Sequence, residues 1–214
     1  MQAFKKDYSP TPLERSHTPP RRNAYLGYRS CLRLEFRYEC AYCLSHEHEV
    51  APSSSHGQFE VDHFRPVSSF GHLKNVYGNL YWSCHACNHA KRETWPTADE
   101  AAKGYRFLDV CGDSPSDHLA INGDEVVAKT TVGQYTIEEI NLNSSEHRQR
   151  RSSRRKQLDL WQLLTSVASS LPDAVQRRDV ERESDAILEL ILGTKSPWDP
   201  VLACLCNGVM HLVI

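Results

Sequence analysis

The sequence has no apolar run of the roughly 18 residues that a membrane-spanning helix needs. Its longest apolar stretch, Val201 to Ile214, is shorter and is broken by Asn207-Gly208. The opening MQAFKKDYSPTPLERSHTPPRR holds no apolar h-region, so no secretory signal is expected and a cytoplasmic setting follows. An excess of positive charge is also missing: 25 Lys and Arg against 27 Asp and Glu give a formal net charge of -2. A uniformly basic nucleic-acid binder is thereby excluded, and any footprint for a polyanion must be local. No internal repeat is evident. The 214 residues suffice for one compact domain with extensions, or one small domain with a helical appendage.

What the chain does have is cysteine, 8 in all. In a chain with no sign of export, thiols point to metal before disulfides. Four form two Cys-x-x-Cys pairs, Cys40/Cys43 and Cys84/Cys87. The short spacing brings both thiolates of a pair to one ion, and the long gap lets that ion clamp two distant segments. Such a soft, closed donor set suits a structural Zn²⁺. Cys31, Cys111, Cys204 and Cys206 lack this pairing; the last two read as small buried hydrophobes.

Three regions are expected. Residues 1–24 form an extended arm, with Pro, Ser and charge scattered along it. Residues 25–145 hold the cysteine- and histidine-rich block and its accessory elements, and residues 146–214 are helical. Within the block, Leu44 to Gln58 reads as a polar surface loop between strands, with the run His46-Glu47-His48-Glu49 solvated rather than metal-binding. Pro96-Thr97-Ala98-Asp99-Glu100 marks a helix start. Asn122-Gly123-Asp124 before Glu125-Val126-Val127-Ala128 predicts a small hairpin. Leu160, Leu164, Val167 and Leu171 recur on one helical face, Pro172 interrupts, and a second helix with Val180, Ile187 and Ile191 on a face stops at Gly193. The final segment is either a hairpin turning at Asn207-Gly208 or a short buried helix.

Between the two cysteine pairs stands Phe59-Glu60-Val61-Asp62-His63-Phe64-Arg65-Pro66. Later come Gly78-Asn79-Leu80 and Cys84-His85-Ala86-Cys87-Asn88-His89-Ala90-Lys91. This ordered set, from about Tyr25 to Trp95, resembles the zinc-bearing HNH endonucleases. The resemblance implies an α+β fold: a ββα-metal core of two strands and a helix around one divalent cation. It also implies roles: Asp62 as a metal carboxylate, His63 as general base, Asn79 bracing the ribbon loop, and Asn88 as an oxygen ligand. Asn88, where the family often has His, favours a hard ion such as Mg²⁺ or Mn²⁺. The chemistry asks for the same types. Phosphodiester hydrolysis needs an in-line nucleophile and relief of charge on the phosphate, and imidazole suits proton abstraction from water near neutrality. Lys91 reads equally as a phosphate contact or a solvated charge, and His85 and His89 as exposed neighbours rather than ligands.

The strongest basic cluster is Arg148, Arg150, Arg151, Arg154, Arg155 and Lys156. On a helix it offers phosphate contacts on neighbouring turns, without reading sequence. Arg21, Arg22, Arg29, Arg33 and Arg37 add charge ahead of the first cysteine pair. Residues 96–156, through Phe107-Leu108-Asp109, Asp117-His118-Leu119, Gly133-Gln134-Tyr135-Thr136-Ile137 and the Arg run, are similar to HNH proteins of bacterial phage-defence loci. That subgroup includes the nuclease subunit of Septu-type systems, which implies an ATPase partner. The leading expectation is a DNA endonuclease. An RNA- or tRNA-cleaving enzyme and a non-catalytic, zinc-stapled nucleic-acid-binding subunit are the alternatives.

Overall fold

The computed structural model describes residues 7–16, 19–20, 22–50 and 59–192. In chain order these form α1 (Arg29–Glu35), a one-turn α2 (Glu47–Val50), strands β1 (Phe59–His63) and β2 (Leu80–Cys84), and α3 (His85–Lys91). Then follow α4 (Ala98–Ala102), α5 (Pro115–His118), β3 (Leu119–Asn122), β4 (Glu125–Ala128), α6 (Thr131–Ile140), α7 (Ser145–Ser170) and α8 (Ala174–Leu192). The architecture is α+β, with two separate two-stranded antiparallel sheets. No helix among the described residues is long and apolar enough to cross a membrane.

The aromatic-rich segments Phe59–His63 and Leu80–Cys84 favour extended backbone and pair with Phe59 opposite Cys84 and His63 opposite Leu80. β2 is buried along its whole length. Phe59 stacks on Trp82 with ring centroids 5.7 Å apart, and Phe64 on Tyr81 at 5.0 Å. The Trp82 indole N–H, which cannot be buried unpaired, donates to Glu47 at 2.7 Å. α3 follows β2 without a loop, so the chain doubles back and α3 runs beside β1 in the same direction. Glu60 and Asp62, two apart and therefore on one face of the pleat, both point at it.

The arm is fastened to the core rather than extended away from it. The Tyr8 hydroxyl donates to the Tyr42 carbonyl at 3.0 Å, and Leu13 N–H to Val110 at 2.7 Å. Arg15 reaches Glu35 at 2.9 Å and the Leu80 carbonyl at 2.8 Å. The polar stretch after Cys43 is likewise no plain solvated loop. Glu47 pairs with Arg33 at 2.7 Å, Glu49 pairs with Arg154, and His46 is buried. Residues 51–58, the rest of that stretch, lie outside the described residues, as do Gly193, Cys204, Cys206 and Asn207-Gly208.

The punctuation of the middle region follows the sequence. Thr97 caps α4 in a reciprocal capping box with Glu100. Gly123, at φ +66°, turns the chain between β3 and β4. Gly133 is required by close approach, since a Cβ there would lie 2.1 Å from the His118 carbonyl oxygen. α7 and α8 form an antiparallel helical hairpin after a break at 171–173. The face of α7 toward α8 is set by half-buried Leu164 and buried Ala168, with Thr165 in contact with Ser184 at 3.0 Å. Leu160 and Val167, expected on the packed face, are exposed instead, because the contact stripe is rotated by about one residue on the helix.

Candidate metal centre and nuclease site

Cys40 and Cys43 flank a tight turn between α1 and α2, where Leu44 takes a left-handed conformation at φ +60°. Cys84 ends β2 and Cys87 sits in the first turn of α3. The β1–β2 pairing thus folds the second pair against the first, and all four sulfurs lie within 4.8 Å of one another, buried. Cys43 and Cys84 Sγ are 3.7 Å apart. A tetrahedral ion with about 2.3 Å metal–sulfur bonds requires sulfur–sulfur edges of roughly 3.8 Å, so the spacing fits zinc.

The ionisation of these thiols agrees. Hydrogen bonds from Cys40, Cys84 and Cys87 draw Cys43 well below the usual thiol range. Contacts with Cys40 and Cys43 push Cys84 above it, and burial pushes Cys87 up. Four crowded thiols cannot all ionise by themselves, and a dication removes the conflict. Residues 40, 43, 84 and 87 therefore form a cluster that can hold zinc. His147, at the start of α7, lies with Nε2 3.5 Å from Cys87 Sγ, its Nδ1 held by Asn141 O at 3.1 Å and Ser144 Oγ at 3.0 Å. It is the kind of imidazole that orients a ligand sulfur. Nothing local in the sequence signals it, because it stands 60 residues from its partner.

His63 ends β1, half-buried against the edge of Tyr25 at 4.7 Å between centroids. Its Nε2 lies 2.9 Å from the Lys74 carbonyl. The backbone just after it is pinned at two points. Lys91 Nζ donates to the His63 carbonyl at 2.7 Å. Asn79, in the single helical turn before β2, accepts from Arg65 N–H at 2.9 Å and donates to Arg65 O at 3.0 Å. Its amide therefore braces the chain two residues beyond His63.

Asp62 is elsewhere engaged. It is 3% exposed, accepts from the Tyr42 hydroxyl, and takes Lys91 Nζ at 3.1 Å. Burial, reinforced by the Asp62 charge, holds the Tyr42 hydroxyl well above the usual phenol range, so it stays a donor. Lys91 is fully buried, neither a phosphate contact nor a solvated charge, with Nζ 5.7 Å from the Phe107 ring centre. Asn88 faces not Asp62 but Glu60, one rung earlier: Asn88 Nδ2 donates to Glu60 Oε2 at 2.5 Å, and His85 Nδ1 lies 2.9 Å from Oε1. Glu60 and Tyr42 were missed in the sequence. The parity of β1 carries the signal for Glu60, since it must share a face with Asp62.

The basic run on α7 divides. His147, Arg151 and Arg154 fall at i, i+4 and i+7 and turn inward. Arg151 donates to Asp124 O and Leu142 O, both at 2.7 Å. Arg154 pairs with Glu49 and reaches Leu44 O at 3.3 Å. These two arginines are buried and unable to meet a phosphate, contrary to the expectation for the run. Arg150 pairs with Glu146, and Arg148 with Glu125 at 2.6 Å and Asp124 at 3.4 Å. Arg155 and Lys156 are exposed.

Residues 40–94 match a family model, HNH endonuclease. The match begins at the first cysteine of the cluster, ends just past Lys91, and supports assigning this segment to that family. No curated protein and no solved structure matches the chain.

Proposed function

We propose that this chain is an endonuclease that hydrolyses phosphodiester bonds in DNA with His63 as the general base. The observation that carries this reading is the hydrogen bond from His63 to the Lys74 carbonyl. A carbonyl only accepts, so Nε2 is the donor, and the lone pair that can take a proton is the one at Nδ1. Nδ1 takes a proton from water, the oxygen attacks phosphorus, and the 3′ oxygen departs. The Lys74 carbonyl then stabilises the imidazolium that results, as an oriented acceptor does in other His-based catalysts. Asn79 and Lys91 hold the backbone just after the base, and the Lys74 carbonyl and the Tyr25 ring hold its imidazole.

Enzymes of this family use a divalent ion, which relieves charge on the phosphate and the leaving oxygen. Asp62 and Asn88 do not fit as its ligand pair, because Lys91 and Tyr42 already occupy the Asp62 carboxylate and Asn88 faces Glu60. Supercoiled plasmid incubated with Mg²⁺ or Mn²⁺ tests the base. His63→Ala is expected to lower the cleavage rate by about 10²- to 10⁴-fold. Equal cutting by variant and wild type would refute the proposal. Total RNA incubated in parallel decides between DNA and RNA.

A further inference from the structure

Arg15, Arg29, Arg33 and Lys91 each lie over an aromatic ring, and each also ends on an oxygen, of Glu35, Phe59, Glu47 and Asp62 in turn. Arg65 shares only the first half of that arrangement. Its guanidinium stands 5.6 Å from the centre of the Phe70 ring and 5.9 Å from that of Trp95. Among the described residues its side chain meets no oxygen, and only its backbone is hydrogen-bonded, to Asn79. We infer that Arg65, together with Lys74, holds phosphates of the nucleic acid that flank the one His63 attacks. For the nature of the ligand, DNA, the inference rests on the reaction proposed above.

Position comes first. Arg65 follows His63 by two residues, so the two Cα atoms are at most about 7 Å apart. Lys74 stands 11 residues beyond His63, yet its carbonyl lies 2.9 Å from His63 Nε2. Its Cα is thereby kept within roughly 5 Å of the imidazole. Both side chains are exposed, so a strand of DNA that brings one phosphate to His63 passes two cations in water on its way.

Charge and order come second. A chain with a formal net charge of -2 meets a polyanion only through cations that its own carboxylates leave free. Glu93 is bonded to Ser68, by the N–H at 3.1 Å and the hydroxyl at 2.6 Å, rather than to Arg65. No carboxylate pairs with Lys74 among the described residues. The two rings beneath Arg65 restrict its rotamers while its N–H edge stays in water. Asn79 fixes the backbone of the same residue at both its N–H and its carbonyl. A guanidinium ordered in this way before the ligand arrives gives up little entropy on binding, and its fork matches two phosphate oxygens. Lys74 supplies a point charge without that geometry.

Fluorescence anisotropy of a labelled DNA duplex with zinc-loaded His63→Ala protein, at several salt concentrations and with no Mg²⁺ or Mn²⁺ added, reads binding apart from cutting. Arg65→Ala in that background is expected to weaken binding about tenfold and to lower the slope of log affinity against log salt by about 0.9. Its melting temperature should stay within about 2 °C, since the side chain is exposed. Lys74→Ala should lower the slope equally, with only about a threefold loss of affinity. Arg65→Lys should keep the slope and recover only part of the affinity, because an ammonium offers no fork. An unchanged slope in Arg65→Ala overturns the inference and leaves Arg65 a strut seated on rings. If His63→Ala still cuts plasmid with Mn²⁺ while Arg65→Ala loses the slope, the proposed base falls and the phosphate contact stands, so the two failures are distinct.

Discussion

The β1–α3 unit and the first half of α7 are both dense in charge, and they use it in opposite ways. On β1 and α3 the charges meet in two rungs, one sealed (Asp62–Lys91) and one open to solvent (Glu60–Asn88 with His85). On α7 the inward arginines meet mostly carbonyl oxygens and a single carboxylate, Glu49. Arg151 and Arg154 serve as struts between the helix, the β3–β4 turn and the loop after Cys43. A basic run in sequence is therefore not an electrostatic footprint on the surface. What distinguishes a site from a strut is a charge left accessible beside others that are saturated.

The largest effect that would test this contrast comes from the thiol cluster, which anchors both regions: Cys87 belongs to α3 and touches His147 of α7. Structural zinc contributes an apparent ~10–16 kcal/mol to folding in small zinc domains. Cys87→Ser, or exhaustive chelation, is expected to abolish cooperative unfolding of residues 40–94 and to release α7 from the knuckle. Elemental analysis together with far-ultraviolet circular dichroism reads both. A protein folded and free of zinc would show that the four thiols pack without an ion, and that the two regions do not depend on it.

A middling effect should come from the sealed rung. Lys91→Met removes the cation that pairs with buried Asp62, and breaking a buried pair on one side costs about 3–5 kcal/mol. Adding Asp62→Asn is expected to recover much of that loss, since Tyr42 can still donate to the remaining oxygen. Denaturant titration of the two single variants and the double variant measures the coupling. If the losses simply add, the two side chains do not act as a pair and the rung is not sealed.

How much was legible follows from what kind of signal each feature leaves. The knuckles, the β1 motif, the α4 cap and the Gly123 turn depend on residues a few positions apart, so spacing carries them. The opposite faces of α7 depend on which side meets the core, and a run with arginine at most positions has no polarity contrast to give the facing away. The exposure of Leu160 and Val167 has the same origin, because a stripe shifted by one residue on a helix reads almost alike. Asp62 as a metal ligand rested on motif position, whereas its engagement by Lys91 arises from the register of α3 on β1, which no local pattern encodes. Glu60 lay within reach through strand parity alone.

The smallest effect separates strut from surface on adjacent residues of one helix. Arg154 is 4% exposed and ties α7 to Glu49 and to the carbonyl beside Cys43, whereas Arg155 points outward from the same turn. Arg154→Ala takes the guanidinium from Glu49 in a mostly buried setting, and a loss of about 2–4 kcal/mol is expected, below the fully buried limit because Glu49 keeps the His46 amide and some contact with water. Arg155→Ala should leave the melting temperature within about 2 °C of wild type, as surface substitutions do. The same variant should flatten the salt dependence of DNA binding by about one counterion, which Arg154→Ala should not do once its loss of fold is taken into account. Thermal melts and binding isotherms at several salt concentrations read the two axes separately. If the pair exchanged behaviour, with Arg154 governing salt dependence and Arg155 stability, α7 would face the other way and the division between strut and surface would fall.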